Sequence, residues 1–439
     1  MSEQVDLADY ADPDSDEDSG WEEKRLGEIF GSVYSGGTPK KGVEEYYDGK
    51  LPFVKIEDLN EQQGKGVSTA EEYISEEAIE ETSARAFDPG TLLLTIYGSL
   101  AETAIARNRL ATNQAILGLW DAKKDNVLYV RYAIDQTQPK LKSLSRQTTQ
   151  ANLGKGIVKK HCLPLPPLSE QRKIATVLYT VDQAIRKTEE IIEQSGRVRE
   201  ATEQDLFREG YFDYDQIEEQ RLVEYPADWD FEQLSDHTVE SAFGPRYDSD
   251  RYDETGGIAT LRTTDLDRRG NITHETMPRA DLDIEEFEKH LLEKGDLIVS
   301  RSGAYSGITT TWDGHEIPTI PGAYMIRFRL EDTLNPEYLR YYFNSNVGRR
   351  RINRRKKGSG QQNISGSDLL NMRIPIPSKE EQEKIVEVIN SIESQIRFNK
   401  EYHEYLERLK QGLMQDLLSG AVRTTDTNIE IPDEIAQHG

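Results

Sequence analysis

The chain is written twice. Leu163-Pro164-Leu165-Pro166-Pro167 is followed by Ser169-Glu170-Gln171-Arg172-Lys173-Ile174, and Ile374-Pro375-Ile376-Pro377 is followed by Glu380-Glu381-Gln382-Glu383-Lys384-Ile385. A shift of 211 residues carries Gln171 onto Gln382 and maps Pro164, Pro166, Glu170, Lys173 and Ile174 onto identical residues. The same shift joins Gln150 to Gln361 and Asn152 to Asn363 upstream, and Asp205-Leu206 to Asp416-Leu417 downstream. A repeat this long is a duplicated domain, since solenoid periods are ~20–50 residues. Two copies of one unit suit a protein that does the same job at two places on one partner.

At 439 residues the chain has room for two to four domains. Its single cysteine, Cys162, excludes a disulfide scaffold and a cysteine-built zinc site, and fits a reducing cytoplasm. No run of ~18 apolar residues marks a membrane span. Residues 1–20 carry acidic groups, no basic group and no apolar core, so they read as a disordered acidic tail rather than a signal peptide. The net charge of −26 admits three readings: a basic partner, avoidance of nucleic acid, or a surface adapted to molar salt. Low lysine with carboxylates spread along the whole chain favours the last, the surface of a halophilic archaeon's protein. Net charge then does not exclude DNA, and local patches decide.

Each copy has two parts. The first, 21–168 and 229–378, reads as a mixed α/β globule with short β-rich runs at Leu51–Ile56, Thr91–Ile96 and Asp296–Ser300, bounded by Gly, Pro and Asp. Within the globules Trp21 parallels Trp229, Leu26 Leu234, Asp58-Leu59 Asp265-Leu266, Gly90 Gly295 and Gly98 Gly303, at shifts of 205 to 208, so loops have changed length. The second part, 169–208 and 379–420, is a predicted helix of about 38 residues, Ser169 to Leu206 and Glu380 to Leu417, or ~57 Å. The proline runs set its start, Ser169 is a candidate N-cap, and Glu170, Glu380 and Glu381 suit the positive helix end. Ile174, Leu178, Val181 and Ile185, and Ile385, Ile389, Ile392 and Ile396, repeat at +4, +3, +4, a helix-pair seam. Such a stripe also suits a helix lying on its own globule; two of matching phase favour pairing with each other. Residues 209–228 read as a linker and 421–439 as a C-terminal tail.

The order of globule, proline-rich exit and Glu-Gln-x-Lys-Ile helix, repeated once, resembles the DNA-specificity (S) subunit of Type I restriction–modification systems. Gly36-Gly37-Thr38-Pro39, Tyr46-Tyr47-Asp48-Gly49, Leu51-Pro52-Phe53-Val54, and the Gln-x-Asn-Leu/Ile motifs at 150–153 and 361–364 add to the likeness. It covers all but the tails. The second globule departs from it, with Gly244-Pro245-Arg246 where Gly-Gly-Thr-Pro is expected. The resemblance implies an α+β chain: two target recognition domains separated by two long antiparallel coiled-coil helices in pseudo-two-fold relation.

Catalytic motifs are missing. Gly154-Lys155-Gly156 lacks the spacing and hydroxyl of a phosphate loop, and the seven histidines are scattered. Asn335-Pro336-Glu337-Tyr338 resembles the Asn-Pro-Pro-Tyr motif of adenine methyltransferases, but reads better as a helix start with proline in the first turn. No metal site is expected. Nucleic-acid features are local: the run from Arg349 to Lys357 holds seven basic groups in nine positions, with Gly358-Ser359-Gly360-Gln361 next. Cations neutralise phosphates, and this run offers Arg349, Arg350, Arg354 and Lys356. The matching stretch of the first copy offers Arg146 and Gln150. For reading base edges, where Arg bridges guanine and Gln or Asn bridges adenine, the candidates are Thr38, Lys40, Lys41, Lys55, Tyr97, Arg107 and Arg109, then Arg246, Tyr247, Arg262, Arg268, Arg301 and Tyr305. Each has the alternative of ordinary surface polarity or an internal ion pair.

The resemblance implies a non-catalytic subunit that binds double-stranded DNA, reads a split target with one half per globule, and recruits two methyltransferase (M) subunits. Restriction (R) subunits would join them. No cofactor is expected in this chain; S-adenosylmethionine, ATP and Mg would sit in the partner subunits. The competing reading is a coiled-coil assembly protein whose acidic faces hold a basic protein.

Overall fold

A computed structural model describes residues 20–62, 66–145, 152–221, 223–356 and 363–436. Four helices organise it: α1 (Val127–Ser145), α2 (Leu168–Glu209), α3 (Pro336–Asn344) and α4 (Lys379–Ser419). Two compact units result, Met1–Glu189 with Tyr402–Gly439, and Glu190–Glu401. Each long helix is thus shared between units, where the sequence reading set the helices apart from the globules. The cause is the apolar stripe. Ile174 and Leu178 sit in the core of their own globule with Tyr129, Leu163 and Leu165, and the same core takes in Leu417 and Leu418 of α4. In the other unit Ile385 and Ile389 join Tyr338 and Tyr342 on one side and Leu206 and Phe207 of α2 on the other. Both readings of the stripe therefore hold: each helix lies on its own globule and pairs with the other helix. Ile185 and Ile396 are buried as well, and Val181 and Ile392 half-buried. Contacts rise along α2 as they fall along α4, so the pairing is antiparallel in each unit.

The globules share the topology of one sheet, while the second sheet has four strands in the first globule and three in the other. In the first, a four-stranded antiparallel sheet runs Ser32–Ser35, Ile116–Trp120, Leu92–Thr95, Thr103–Ile105; in the second it runs Thr238–Phe243, Met325–Leu330, Leu297–Ser300, Thr309–Thr311. Each has a second sheet built on one parallel pair, Leu51–Val54 with Leu110–Thr112 and Ile258–Leu261 with Thr319–Pro321. The expected strand at Leu51–Ile56 stops at Val54, because the Asp58 carboxylate accepts the Lys55 amide and starts a short helix at Ile56. Asp265 does the same for the Arg262 amide.

The proline exits are strands. Cys162–Leu165 pairs antiparallel with Glu22–Arg25, and Arg373–Ile376 with Asp230–Gln233. Each pair stands alone as a two-stranded ribbon, so the missing proline N–H faces the unpaired edge. The helices begin at once. Leu168, not Ser169, is the first residue of α2, and the Pro167 carbonyl accepts the Glu170 and Gln171 amides. At 42 and 41 residues the helices outrun the expected length, ~63 Å for α2.

The identical Glu and Gln of the repeat lock these corners. Gln171 accepts the Asn126 amide at the foot of α1 and donates to the Pro166 carbonyl and Asp125; Gln382 accepts the Asn335 amide at the foot of α3 and donates to the Pro377 and Thr333 carbonyls. Glu170, 1% exposed, receives the Arg423 guanidinium and the Thr424 amide. Burial pushes its carboxyl up, but those donors prevail and hold it below the usual carboxylate range. Glu381 takes the Tyr211 and Phe212 amides, the Tyr214 hydroxyl and the Trp229 indole. Residues 421–436 are therefore docked rather than a loose tail: Glu434 meets Arg107 and Tyr179, and Ile435 is buried. The linker likewise folds into a hairpin, Ile217–Gln220 with Val223–Pro226.

At one half-buried helix position the copies differ in charge. The first core packs Met414 where α2 carries Glu203. Burial pushes the Glu203 carboxyl up to about 7 against the pull of Arg199, with Glu393 and Glu200 adding to the rise. A group raised in the fold contributes its stability below its ordinary value near 4.5 and loses it as pH climbs through 7. Glu203→Gln is expected to raise the urea midpoint at pH 8, by up to roughly 3 kcal/mol of stability, and to leave it nearly unchanged at pH 5. Paired denaturation curves at the two pH values check this.

Candidate nucleic-acid interface

The glycine motif of the first globule is a steric requirement. A Cβ on Gly36 would stand 2.1 Å from the Thr112 carbonyl oxygen, and one on Gly37 2.2 Å from that of Ser83. Gly244 does occupy the matching place: its Cβ would meet the Gly322 oxygen at 2.0 Å, and its amide donates to Met325 as Gly36 donates to Ile116. The two globules diverge just after this fixed point, with Thr38 in one and Arg246 in the other. Thr38 donates to Gln114, whereas Arg246 is exposed.

The Gln-x-Asn motifs flank a second fixed point. The Leu153 amide donates to the Ile96 carbonyl at 3.0 Å and the Ile364 amide to the Arg301 carbonyl at 2.9 Å. Ile96 is buried, but Arg301 lies with its guanidinium 4.9 Å from the centre of the exposed Phe243 ring. It makes no ion pair among the described residues. Arg146, Gln150 and Gln361 lie outside the described residues.

The remaining candidates separate into held and open groups. Lys40, Lys41 and Tyr97 are exposed in loops. Lys55 is tied to Glu72, Arg107 to Glu434 and Arg109 to Glu76 through both guanidinium arms. Tyr247 bonds Thr260 and packs against Phe287, and Tyr305 packs against its globule's core. Arg262 grips the buried Asp265 and the Thr276 carbonyl. In the unbound chain an internal partner engages the polar head or ring of each of these six.

The basic run forms a helix, Asn346–Asn353, and is not uniformly solvated. Arg351 is buried, donating to the Tyr342 hydroxyl and the Arg373 carbonyl and lying over Phe231. Arg350 turns to the Asn346 carbonyl and Arg354 is exposed. Arg349 reaches the Arg268 carbonyl and lines a cleft with Arg268, Arg269, Asn344 and Glu200. Burial and Arg268 lower the Arg349 pKa; burial and Arg349 lower that of Lys356; burial, Arg351 and Arg221 lower that of Arg355.

One cluster escaped the sequence reading. Arg85 and Lys155 each lie 4.4 Å from the centre of the exposed Tyr34 ring, and Trp120 adjoins it at 5.3 Å. Burial, Lys159 and Arg85 lower the Lys155 pKa. Lys155 stands two residues beyond Leu153, and Tyr34 occupies the edge strand that Phe243 occupies in the second globule. An edge-strand aromatic under a cation is thus common to both copies. The signal was the lysine next to the Gln-x-Asn motif, read only as a failed phosphate loop.

A family model described as the Type I restriction modification DNA specificity domain matches residues 18–194 and 226–408. The chain belongs to this family. The MjaVIII specificity subunit of Methanocaldococcus jannaschii is 25% identical over 415 residues, covering 93% of this chain and 94% of that one. The EcoKI specificity subunit of Escherichia coli K12 is 26% identical over 284 residues, covering 62% and 60%. In fold the chain is similar to the S subunit from M. genitalium, with TM-score 0.56 and 15% identity over 95% of this chain and 99% of that one. The function follows: this is a DNA-specificity subunit, and the assembly-protein reading is not favoured. Asn335 fits the same conclusion, since it caps α3 by accepting the Glu337 amide and its own amide is bound by Gln382. Among the described residues no helix is long and apolar enough to cross a membrane, and no group of three His, Cys, Asp or Glu is placed to hold a metal ion.

Held and open arginines are expected to respond differently. Arg262→Ala leaves the buried Asp265 carboxylate short of its cation and should cost about 1–3 kcal/mol of stability. Arg246→Ala should stay within roughly 0.5 kcal/mol. Urea melts of both variants decide, and equal losses would contradict the assignment.

Proposed function

We propose that each globule reads one half of a split, asymmetric DNA target, and that the helix pair holds the two readers for two methyltransferase subunits. The observation that carries this is one frame under two different surfaces. Gly36 and Gly244 make the same backbone contact, as do Leu153 and Ile364, yet the side chains there differ: Thr38 bonded to Gln114 against the exposed Arg246, and the buried Ile96 against Arg301 over Phe243. Equal frames with unequal faces suit two unequal half-sites.

In this reading Arg301, Arg246, Lys40, Lys41 and Tyr97 face base edges, while Arg349, Arg354 and Lys356, with Arg268 and Arg350, meet phosphates. Phosphate contacts position the protein and base contacts specify. The methyltransferase subunits bring S-adenosylmethionine and flip an adenine for N6 methylation. Restriction subunits bring ATP and Mg and cut unmodified DNA. The assembly works in the cytoplasm, and the acidic surface fits a salt-rich one such as a halophilic archaeon's. Molar salt screens long-range attraction, so direct contacts carry the selectivity.

Co-purified with its methyltransferase subunits, the chain should transfer label from S-adenosylmethionine to a bipartite motif. The chain alone should transfer none. Label transfer by a preparation that mass spectrometry finds free of methyltransferase subunit would overturn the reading.

Arg354→Ala with Lys356→Ala should weaken all sequences about equally and flatten the salt slope by roughly one unit per lost phosphate contact. Arg301→Ala should relax one half-site only, by about 1–3 kcal/mol if its contact is bidentate. Salt titrations on the target and its single-base variants separate the two. Loss of base preference by the double variant at an unchanged salt slope would reverse these roles.

A further inference from the structure

Each unit contains a largely buried ionic junction, with Asp182 6% and Glu393 21% exposed, that neither the motif nor the DNA-reading role explains. In the first, Asp182 of α2 accepts the Tyr132 hydroxyl of α1 at 2.6 Å and the Lys410 ammonium of α4 at 2.7 Å, with the Arg131 guanidinium at 3.9 Å. In the second, the Tyr341 hydroxyl of α3 is shared between Glu393 at 2.8 Å and Asn390 at 2.6 Å, both of α4, and Glu393 has the guanidinium of Arg340 of α3 at 3.6 Å and that of Arg199 of α2 at 3.4 Å. The charged groups and the tyrosine correspond one to one. Arg131-Tyr132 becomes Arg340-Tyr341, Asp182 becomes Glu393, and Lys410 becomes Arg199. In both, arginine and tyrosine are stacked, at 5.1 and 4.2 Å.

Three elements meet at each carboxylate: the globule's helix, its own spacer helix and the opposite one. The globule's helix is already tied at its foot, where Gln171 or Gln382 holds the amide of Asn126 or Asn335. The second tie lies eleven residues along the spacer in both copies, from Gln171 to Asp182 and from Gln382 to Glu393, or ~16 Å. One tie leaves a globule free to pivot; two ties three turns apart fix its direction. The closing cation comes from the other copy's helix, so the second tie also depends on the register of the helix pair.

We propose that Asp182 and Glu393, with Lys410 and Arg199, are positioning residues that set the angle of each globule on the spacer and thereby the gap between the two half-sites. The proposal rests on the split-target reading. It differs from a bland stabilising role in a checkable way. Burying such charges is often neutral or unfavourable for stability, whereas apolar residues of similar volume would hold the helices together as well. What the ions add is a directional, register-dependent contact.

The test uses the full complex with its methyltransferase subunits and a DNA series in which the half-sites are constant and the gap runs from two base pairs short to two long. Wild type should methylate one gap strongly. Asp182→Asn and Glu393→Gln should each lower the ratio of the best gap to its neighbours by tenfold or more, with base preference within each half-site unchanged. Asp182→Lys with Lys410→Asp should restore the narrow preference, and the same exchange at Glu393 and Arg199 serves if the first pair folds poorly. A gap ratio unchanged within twofold in folded variants, with only the melting temperature lowered, would overturn the proposal. So would failure of both charge exchanges, in folded protein, to recover the ratio. Wild-type complex that methylates no bipartite site would instead overturn the split-target reading, so the two failures are distinguishable.

Discussion

The carboxylate and amide at the start of each spacer helix organise this protein. Glu170 and Gln171, and Glu381 and Gln382, are all no more than 1% exposed, and each side chain collects partners from segments far apart in sequence. A buried ion left unpaired costs several kcal/mol, so the chain has to bring Arg423 to one carboxylate and Tyr214 and Trp229 to the other. That requirement docks the segments that follow both helices, closes the exit ribbons and seats the foot of α1 and α3. The unusual identity of a few residues across a divergent repeat thus has a local cause: these are the groups whose replacement would strand a buried polar partner.

Pairing across copies follows from the same corners. A helix that starts at a locked corner has its apolar stripe aimed by the 3.6-residue turn, toward its own globule and toward the opposite helix at once. Ile174 lies in the core that also takes in Leu417 of the opposite helix, and Ile385 in the core that takes in Leu206. Each unit therefore contains half of each spacer helix. The separation of globule and spacer is a convenience of chain order, while the physical units cut across it.

The frame was legible in sequence because it is periodic or repeated. The +4, +3, +4 stripe, the proline exits and the Glu-Gln pair all state their geometry locally. What was not legible depends on partners distant in the chain. Arg262 and Arg301 look alike as lone arginines beside strands, but Asp265 engages one and Phe243 only underlies the other. Arg351 looks like its neighbours in the basic run, yet the helical turn points it inward to Tyr342. The docking of residues 421–436 was hidden because its partners, Glu170 and Arg107, are more than 250 positions away. The Tyr34 cluster required Arg85, at the start of a strand, and Lys155, at the start of a short helix, to converge.

At positions 96 and 301 the fold takes hold of the main chain alone. The amide of Leu153 or Ile364 binds a carbonyl that every amino acid possesses, so the contact is indifferent to what the residue displays. An isoleucine in one copy and an arginine in the other satisfy it equally. The bond survives the change of side chain even though the surroundings differ, since Ile96 is buried in its globule's core and Arg301 lies against the exposed Phe243 ring. Main-chain anchoring of this kind lets two copies of one frame diverge in side chain while the supporting hydrogen bond is kept.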